Sequence, residues 1–163
     1  AIKQSDIDLQ LRFYGKGPEL KLMQQAASGD KRIEVMGYLN GQQAVFDAFD
    51  DFKPHFLLLP AQRQSLERPW EELFGMVMIE AMGMGIVPVV TDHTGPKLIH
   101  SDGSGVVLKE SEYFDRLISV LKGFQEDPSE WQRKRDLGFE RAKEFTLDAI
   151  EQIWEGVLEE RVH

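Results

Sequence analysis

Two glutamates, Glu72 and Glu80, bracket seven intervening residues, Leu73-Phe74-Gly75-Met76-Val77-Met78-Ile79. Carboxylates only accept hydrogen bonds, so a pair at this spacing suits the hydroxyls of a sugar or a ribose. A helix opening near Gly75 sets Glu72 at its mouth and Glu80 about 7 Å further along the axis, so the two can grip different hydroxylated parts of one ligand. The first free N–H groups of such a helix, at its positive dipole end, favour a diphosphate. Gly75 lets the backbone approach that group closely. Together these residue types describe recognition of an anion that carries hydroxylated groups.

The elements that must position them follow from hydrophobic periodicity. Short β-branched or apolar runs alternate with amphipathic stretches of helical length, the pattern of strand–helix–strand units on a parallel sheet. Residues 9–14 read as a strand that turns at Gly15-Lys16-Gly17-Pro18 into a helix running to about residue 28, with Pro18 near its first position. Residues 32–36 read as a second strand, stopped by Gly37, and Gln42–Phe52 as a helix with Val45, Phe46 and Phe49 on one face. A short apolar strand over 55–59, a polar loop over 61–71 and a helix from about 75 to 84 follow. Strands over 86–90 and 105–108 complete the alternation. The last third carries three amphipathic helices, marked by Phe114, Leu117, Ile118 and Leu121, by Trp131 and Leu137, and by Leu147, Ile150, Trp154, Val157 and Leu158. The fold class is α/β, a Rossmann-like parallel sheet with helices on both faces, in one domain spanning residues 1–163. Ligands of open parallel sheets sit beyond the carboxyl ends of the strands, and the Glu72 to Met82 segment begins there.

Composition narrows the partners. The 163 residues, 42% hydrophobic and 29% charged, fit one globular domain with a sizeable core. A net charge of −9 repels nucleic acid and anionic lipid, so a phosphate must be held by local geometry. With no cysteine there is neither a disulfide framework nor a thiolate metal site, and His55, His93, His100 and His163 lack metal-ligand spacing. The longest apolar stretch, 75–90, contains Glu80 and several glycines and falls short of the about 20 apolar residues of a membrane span. The start, Ala1-Ile2-Lys3, shows no secretory signal, and the expected compartment is cytoplasmic. The absence of an initiator methionine suggests a fragment.

The Glu72 to Glu80 segment, with Phe74-Gly75 inside, Glu80-Ala81-Met82 at its end and Gly85-Ile86-Val87-Pro88-Val89-Val90 behind it, resembles the donor-site signature of retaining glycosyltransferases of family 4 and their relatives. The flanks agree in order: Gly15-Lys16-Gly17-Pro18 resembles the family's Gly-x-Gly-Pro turn, and Val35-Met36-Gly37 its strand-then-glycine. Leu58-Leu59-Pro60 and Asp102-Gly103-Ser104-Gly105-Val106-Val107 match later positions. The resemblance implies one half of a two-Rossmann-domain (GT-B) enzyme, the half that binds a UDP- or GDP-sugar for transfer to a glycan, lipid or small-molecule acceptor with retention of configuration. By similarity, Glu72 takes the donor-sugar hydroxyls and serves catalysis, and Glu80 takes the ribose. The backbone from Phe74 through Gly75 and Met76 to Val77 holds sugar and diphosphate, and Gly37, Tyr38, Leu39 and Pro60 lie by the nucleobase. No metal or other cofactor is implied, because helix end and basic side chains stabilise the leaving diphosphate. The resemblance also implies an acceptor-binding domain and a first strand bearing Arg and Lys ahead of Ala1, a final helix (147–163) packing on that domain, and peripheral membrane association only through it. As a fragment, the chain alone is expected to be inactive.

Departures and plainer readings accompany these. Ala61 stands where the family often has Ser, and Thr94-Gly95-Pro96-Lys97 replaces a Gly-Gly-x-Pro-Glu type turn, with Lys97 near the usual glutamate and able to reach a phosphate. Glu72 also belongs to an acidic run with Glu67 and Glu71 that reads as solvated charge, and Glu80 as an exposed helix residue. Met76, Met78, Met82 and Met84 read as packing, and Asp6-Ile7-Asp8 as a turn rather than a metal motif. His93 alone among the histidines falls in a loop at the binding edge, where a ligand contact is the sharper reading. The Arg133, Lys134 and Arg135 cluster reads as the wet face of a helix. Two other functions stay open: a non-catalytic nucleotide- or sugar-binding module, and a sugar-nucleotide epimerase of the same architecture.

Overall fold

The computed structural model describes residues 2–63 and 71–160. The loop expected over 61–71 therefore lies largely outside the described residues. The chain divides into two compact units, Ala1–Lys53 and Pro54–His163.

In the first unit, β1 (Leu11–Tyr14) pairs in parallel with β2 (Ile33–Gly37), with α1 (Leu20–Ala27) between them and α2 (Gln42–Phe52) after them. The strand–helix–strand expectation holds, with β1 and α1 each starting two residues later than the pattern suggested. Arg32 ties the N-terminal segment to this sheet: its guanidinium donates to the carbonyls of Ile2, Ser5 and Ile7 and pairs with Asp30 at 2.8 Å. The Asp6-Ile7-Asp8 stretch is thus structural, with Ile7 buried. Arg12 spans Glu34 and Asp51 while lying over the Phe52 ring, 4.5 Å from its centroid, which joins β1, β2 and α2.

The second unit holds β3 (Phe56–Leu59), β4 (Val87–Thr91) and β5 (Val106–Leu108), hydrogen-bonded in parallel in that order. The five expected strands are all present and parallel to their partners, distributed over two sheets. Every residue of β4 is buried, as a central strand covered on both faces must be. Pro88 is tolerated there by register. Val87 N–H donates toward β3, to the His55 carbonyl, so the ring nitrogen of Pro88 faces the other edge, where β5 begins only opposite Val89.

Helices flank the sheets in a Rossmann-like arrangement: α3 (Met76–Gly83), α4 (Thr94–Ile99), α5 (Tyr113–Glu126), α6 (Pro128–Lys143) and α7 (Leu147–Glu160). The core joins Met78, Ile79, Met82, Val90 and Ile99, with Leu57, Leu59, Val107, Ala142 and Phe145 packed against it. Met78 and Met82 therefore pack as expected, whereas Met76 and Met84 are exposed. The Tyr113 hydroxyl anchors α5 by donating to the Val89 carbonyl at 2.8 Å.

Two expectations need correction. Residues 94–97, read as a turn, open helix α4: Pro96 lies in its first turn, where its missing N–H costs nothing. The Arg133 to Arg135 cluster is only partly wet. Lys134 is half-buried and its ammonium donates to the carbonyls of Gly103 and Gly105, both at 3.0 Å, pinning the turn before β5.

One buried titratable group makes this unit pH-sensitive. His100, at the end of α4, is 5% exposed, with Nδ1 3.0 Å from the Ser104 hydroxyl. Burial pushes its pKa down to about 4 against the pull of Asp102, with Lys134 and Arg141 adding to the depression. The unfolded chain, titrating near 6.5, takes up this proton first, so the contribution is complete above pH 6.5 and is lost as pH falls toward 4. Denaturant unfolding is expected to show about 2 kcal/mol less stability at pH 5 than at pH 7 from this group. His100→Gln should flatten that slope, and an unchanged slope would remove His100 as its source.

Candidate functional site

The carboxyl ends of β3, β4 and β5 converge on the segment 71–75 that leads into α3. Gly75 is the residue before the helix, at φ +84° and ψ 65°, a conformation that favours glycine and turns the chain into Met76. The helix therefore opens where the glutamate spacing requires. No side chain caps it; the Met78 N–H donates to the Gly75 carbonyl at 2.9 Å, and the amides of Met76 and Val77 precede the first intrahelical bonds.

What fixes this segment is its contact with the start of α4. Gly95 N–H donates to the Glu72 carbonyl at 3.1 Å. A Cβ on Gly95 would stand 2.5 Å from the carbonyl carbon of Leu73 and from Phe74 N, so only glycine permits this approach. The Glu71 carboxylate caps α4 from outside by accepting the Thr94 N–H at 3.0 Å and hydroxyl at 2.8 Å. Those two bonds, then Arg63, hold the Glu71 pKa below the usual carboxylate range. His93 is fully buried, and its Nδ1 accepts the Glu72 N–H at 3.0 Å.

An outer ring of charge encloses these contacts. Arg63, just past β3, donates to Glu110 at 2.9 Å, to Glu71 at 3.2 Å and to the Asp92 carbonyl at 3.1 Å. Glu110, just past β5, lies 3.3 Å from His93 Nε2, and its backbone N–H donates to Asp92. That bond holds Asp92 below the usual carboxylate range, against desolvation and with Arg63 assisting. An open cleft of about 560 Å³ at these strand ends is lined by Gln62, Arg63, Asp92, Lys109, Glu110 and Ser111.

The expected site residues fall as follows. Glu72 and Glu80 are both half-buried, Glu72 in the loop and Glu80 on α3. One oxygen of Glu72 accepts the Phe74 N–H at 3.3 Å, so that amide is engaged within the loop. Phe74 and Met76 are exposed and Val77 is half-buried. Pro60 is exposed after β3, and the Ala61 carbonyl accepts the Thr91 hydroxyl at 2.8 Å. Lys97 is exposed in the last turn of α4. In the first unit, Gly37 closes β2 and its carbonyl accepts the Gly15 N–H at 2.7 Å. Tyr38 is exposed with the Lys16 ammonium 3.9 Å from its ring centroid, and Leu39 is half-buried. The Gly-x-Gly-Pro turn and the post-β2 loop thus meet, beside a groove of about 400 Å³ lined in part by Tyr14, Lys16, Pro18 and Met23.

His93 follows the plainer of its two sequence readings, not the ligand contact: its ring points into the protein and holds the loop. Glu71, Arg63, Thr94 and Glu110 were not singled out. A signal for Thr94 existed in the Pro two positions later, which marks a helix start. Among the described residues, no group of three or more acidic, His or Cys side chains could hold a metal ion, and no helix is long and apolar enough to cross a membrane.

The sequence profile of the glycosyl transferases group 1 family matches residues 1–123, a span that contains every residue named above except those of the last helices. The chain belongs to this family. It is also 35% identical over 77 residues, 45% of its length, to a sucrose synthase of Denitrovibrio acetiphilus. The matched segment covers 10% of that enzyme. A glycosyl transferase fold with parallel sheets and a preset loop ahead of α3 is thus established for the chain.

The contact at Gly95 makes a stability prediction with an internal control. Gly95→Ala is expected to cost about 1–3 kcal/mol in urea unfolding, because backbone cannot yield as a side chain does. Gly123→Ala, on α5 with open space around it, is expected to be neutral or to stabilise by up to about 1 kcal/mol. Equal effects would refute the close approach.

Proposed function

We propose that this glycosyl transferase chain binds a nucleotide-diphosphate sugar, with UDP or GDP as the carrier, and serves a retaining transfer to a glycan, lipid or small-molecule acceptor. Support comes first from the opening of α3: a loop already fixed by α4, followed by an uncapped helix end. Such an end offers N–H groups and positive partial charge to a diphosphate without a metal ion. In this reading the amides of Gly75, Met76 and Val77 face the diphosphate, and Lys97 supplies a further cation. Glu72 keeps Oε2 without a protein partner among the described residues, available to a donor-sugar hydroxyl. Glu80 accepts from the ribose and Pro60 meets the base; the resemblance also assigns base contacts to Gly37, Tyr38 and Leu39 of the first unit. The acceptor belongs to a second domain, against which α7 packs, and the chain alone does not turn over.

Titration with UDP and GDP into the 15N-labelled protein is the direct test. Millimolar nucleotide should shift the amide signals of Gly75 to Val77 and of Tyr38, and silence at all of them would overturn the reading. Glu80→Ala should weaken nucleotide binding by about 1–3 kcal/mol, the value of a hydrogen bond to a charged group. Unchanged affinity would remove Glu80 from the ribose.

A further inference from the structure

We propose that His93 is a positioning residue of the donor loop, a buried imidazole whose Nδ1 holds the Glu72 backbone while Nε2 lies near the Glu110 carboxylate. The inference rests on the donor-binding reading for its functional consequence, although the clamp itself stands on geometry alone.

His93 ends the β4 side of the turn into α4 and is fully buried, so no ligand reaches it. Its Nδ1 accepts the Glu72 N–H at 3.0 Å, which requires the neutral ring with its proton on Nε2. That nitrogen faces Glu110 Oε2 at 3.3 Å, and a carboxylate there favours the same tautomer. Glu110 is oriented in turn by two bonds from Arg63, one from the backbone N–H at 2.8 Å and one from the guanidinium at 2.9 Å. The hydrogen bond that reaches the backbone of the glutamate leading into α3 thus comes from His93, just past β4, and the Arg63–Glu110 pair lies behind it as a nearby charge. Gly95 N–H grips Glu72 by its carbonyl. Glu72 is thus held at both backbone polar groups, which fixes the place of its Cα and of the chain that leads to the α3 amides. Preset geometry of this kind spares the loop an ordering cost when ligand binds.

The test separates the clamp from the ligand. In the 15N-labelled protein without nucleotide, His93 should show the Nε2–H tautomer, and an Nδ1–H tautomer would overturn the proposal whatever the protein binds. Amide exchange at Glu72 should quicken about tenfold or more in His93→Leu, which lacks the acceptor, and stay near the wild-type rate in His93→Asn, whose side-chain oxygen can replace Nδ1. With UDP and GDP as probes, affinity should fall about tenfold in His93→Leu and recover in His93→Asn. Equal losses in both variants would reduce His93 to a packing residue and overturn its positioning role. Should His93→Leu fail to fold, the wild-type tautomer and the His93→Asn exchange rate decide the matter. If the wild-type protein bound neither nucleotide while the tautomer and exchange results held, the donor reading would fall and the clamp would stand.

Discussion

The approach of one stretch of backbone to another governs the site. Segment 72–74 lies so near the start of α4 that residue 95 has no room for a Cβ, and the Glu72 carbonyl takes the Gly95 amide. Because α4 also contributes Ile99 to the cluster that contains Met78 and Met82 of α3, the two helices share a core below the loop and hydrogen bonds above it. Packing in a close-packed interior and polar contacts with fixed directions then specify the same loop position twice. A loop held that way needs little reorganisation to present the helix end that follows.

Much of this was legible because the relevant signals are local. The Glu72 to Glu80 spacing with Gly75 between them placed the opening of α3 to within a residue, and the apolar run behind it gave β4. Alternation of strand-like and helix-like runs gave the α/β class. What stayed hidden depended on direction or on distant partners. The Gly95-Pro96 pair carries the same letters in a turn as in the first helical turn, and only the Glu71 carboxylate, brought from another loop to the Thr94 amide, makes the second outcome favourable. His93 has the sequence position of a ligand contact, yet its orientation is set by Glu72 and Glu110, far along the chain on either side. Lys134 shows the same limit: one letter in a basic run, it points inward to two carbonyls of the turn before β5, about 30 residues away in sequence.

Periodicity also leaves open what covers an apolar face. The pattern on α7 correctly gives an amphipathic helix, but Leu147, Ile153, Trp154 and Leu158 are each at least 60% exposed. Its amphipathic spacing is as regular as that of α5, whose Leu117, Leu121 and Phe124 are buried beneath Tyr113 and its bond to β4. The sequence states which side of a helix disfavours water. Only tertiary structure states whether that demand is met.

On the donor-binding proposal, the charge balance explains why backbone geometry has to carry most of the anion recognition. Near the strand ends, Arg63 is the most obvious cation, yet Glu71, Asp92 and Glu110 all lie within 4 Å of it. Its positive charge is therefore committed to holding the loop, and with a net charge of −9 the chain as a whole repels phosphate. Glu71 is committed as well, to the Thr94 amide and hydroxyl that hold its pKa below the usual carboxylate range. Besides the Lys97 ammonium, what remains at the α3 opening is a partial charge of roughly half a unit, carried by amides whose direction is fixed by the helix. Such a charge is too small to attract an anion from a distance through a screening length of about 8 Å at physiological salt. It acts at contact, where its value depends on position to within a few tenths of an ångström, and that is the quantity the Gly95 approach and the His93 bond control.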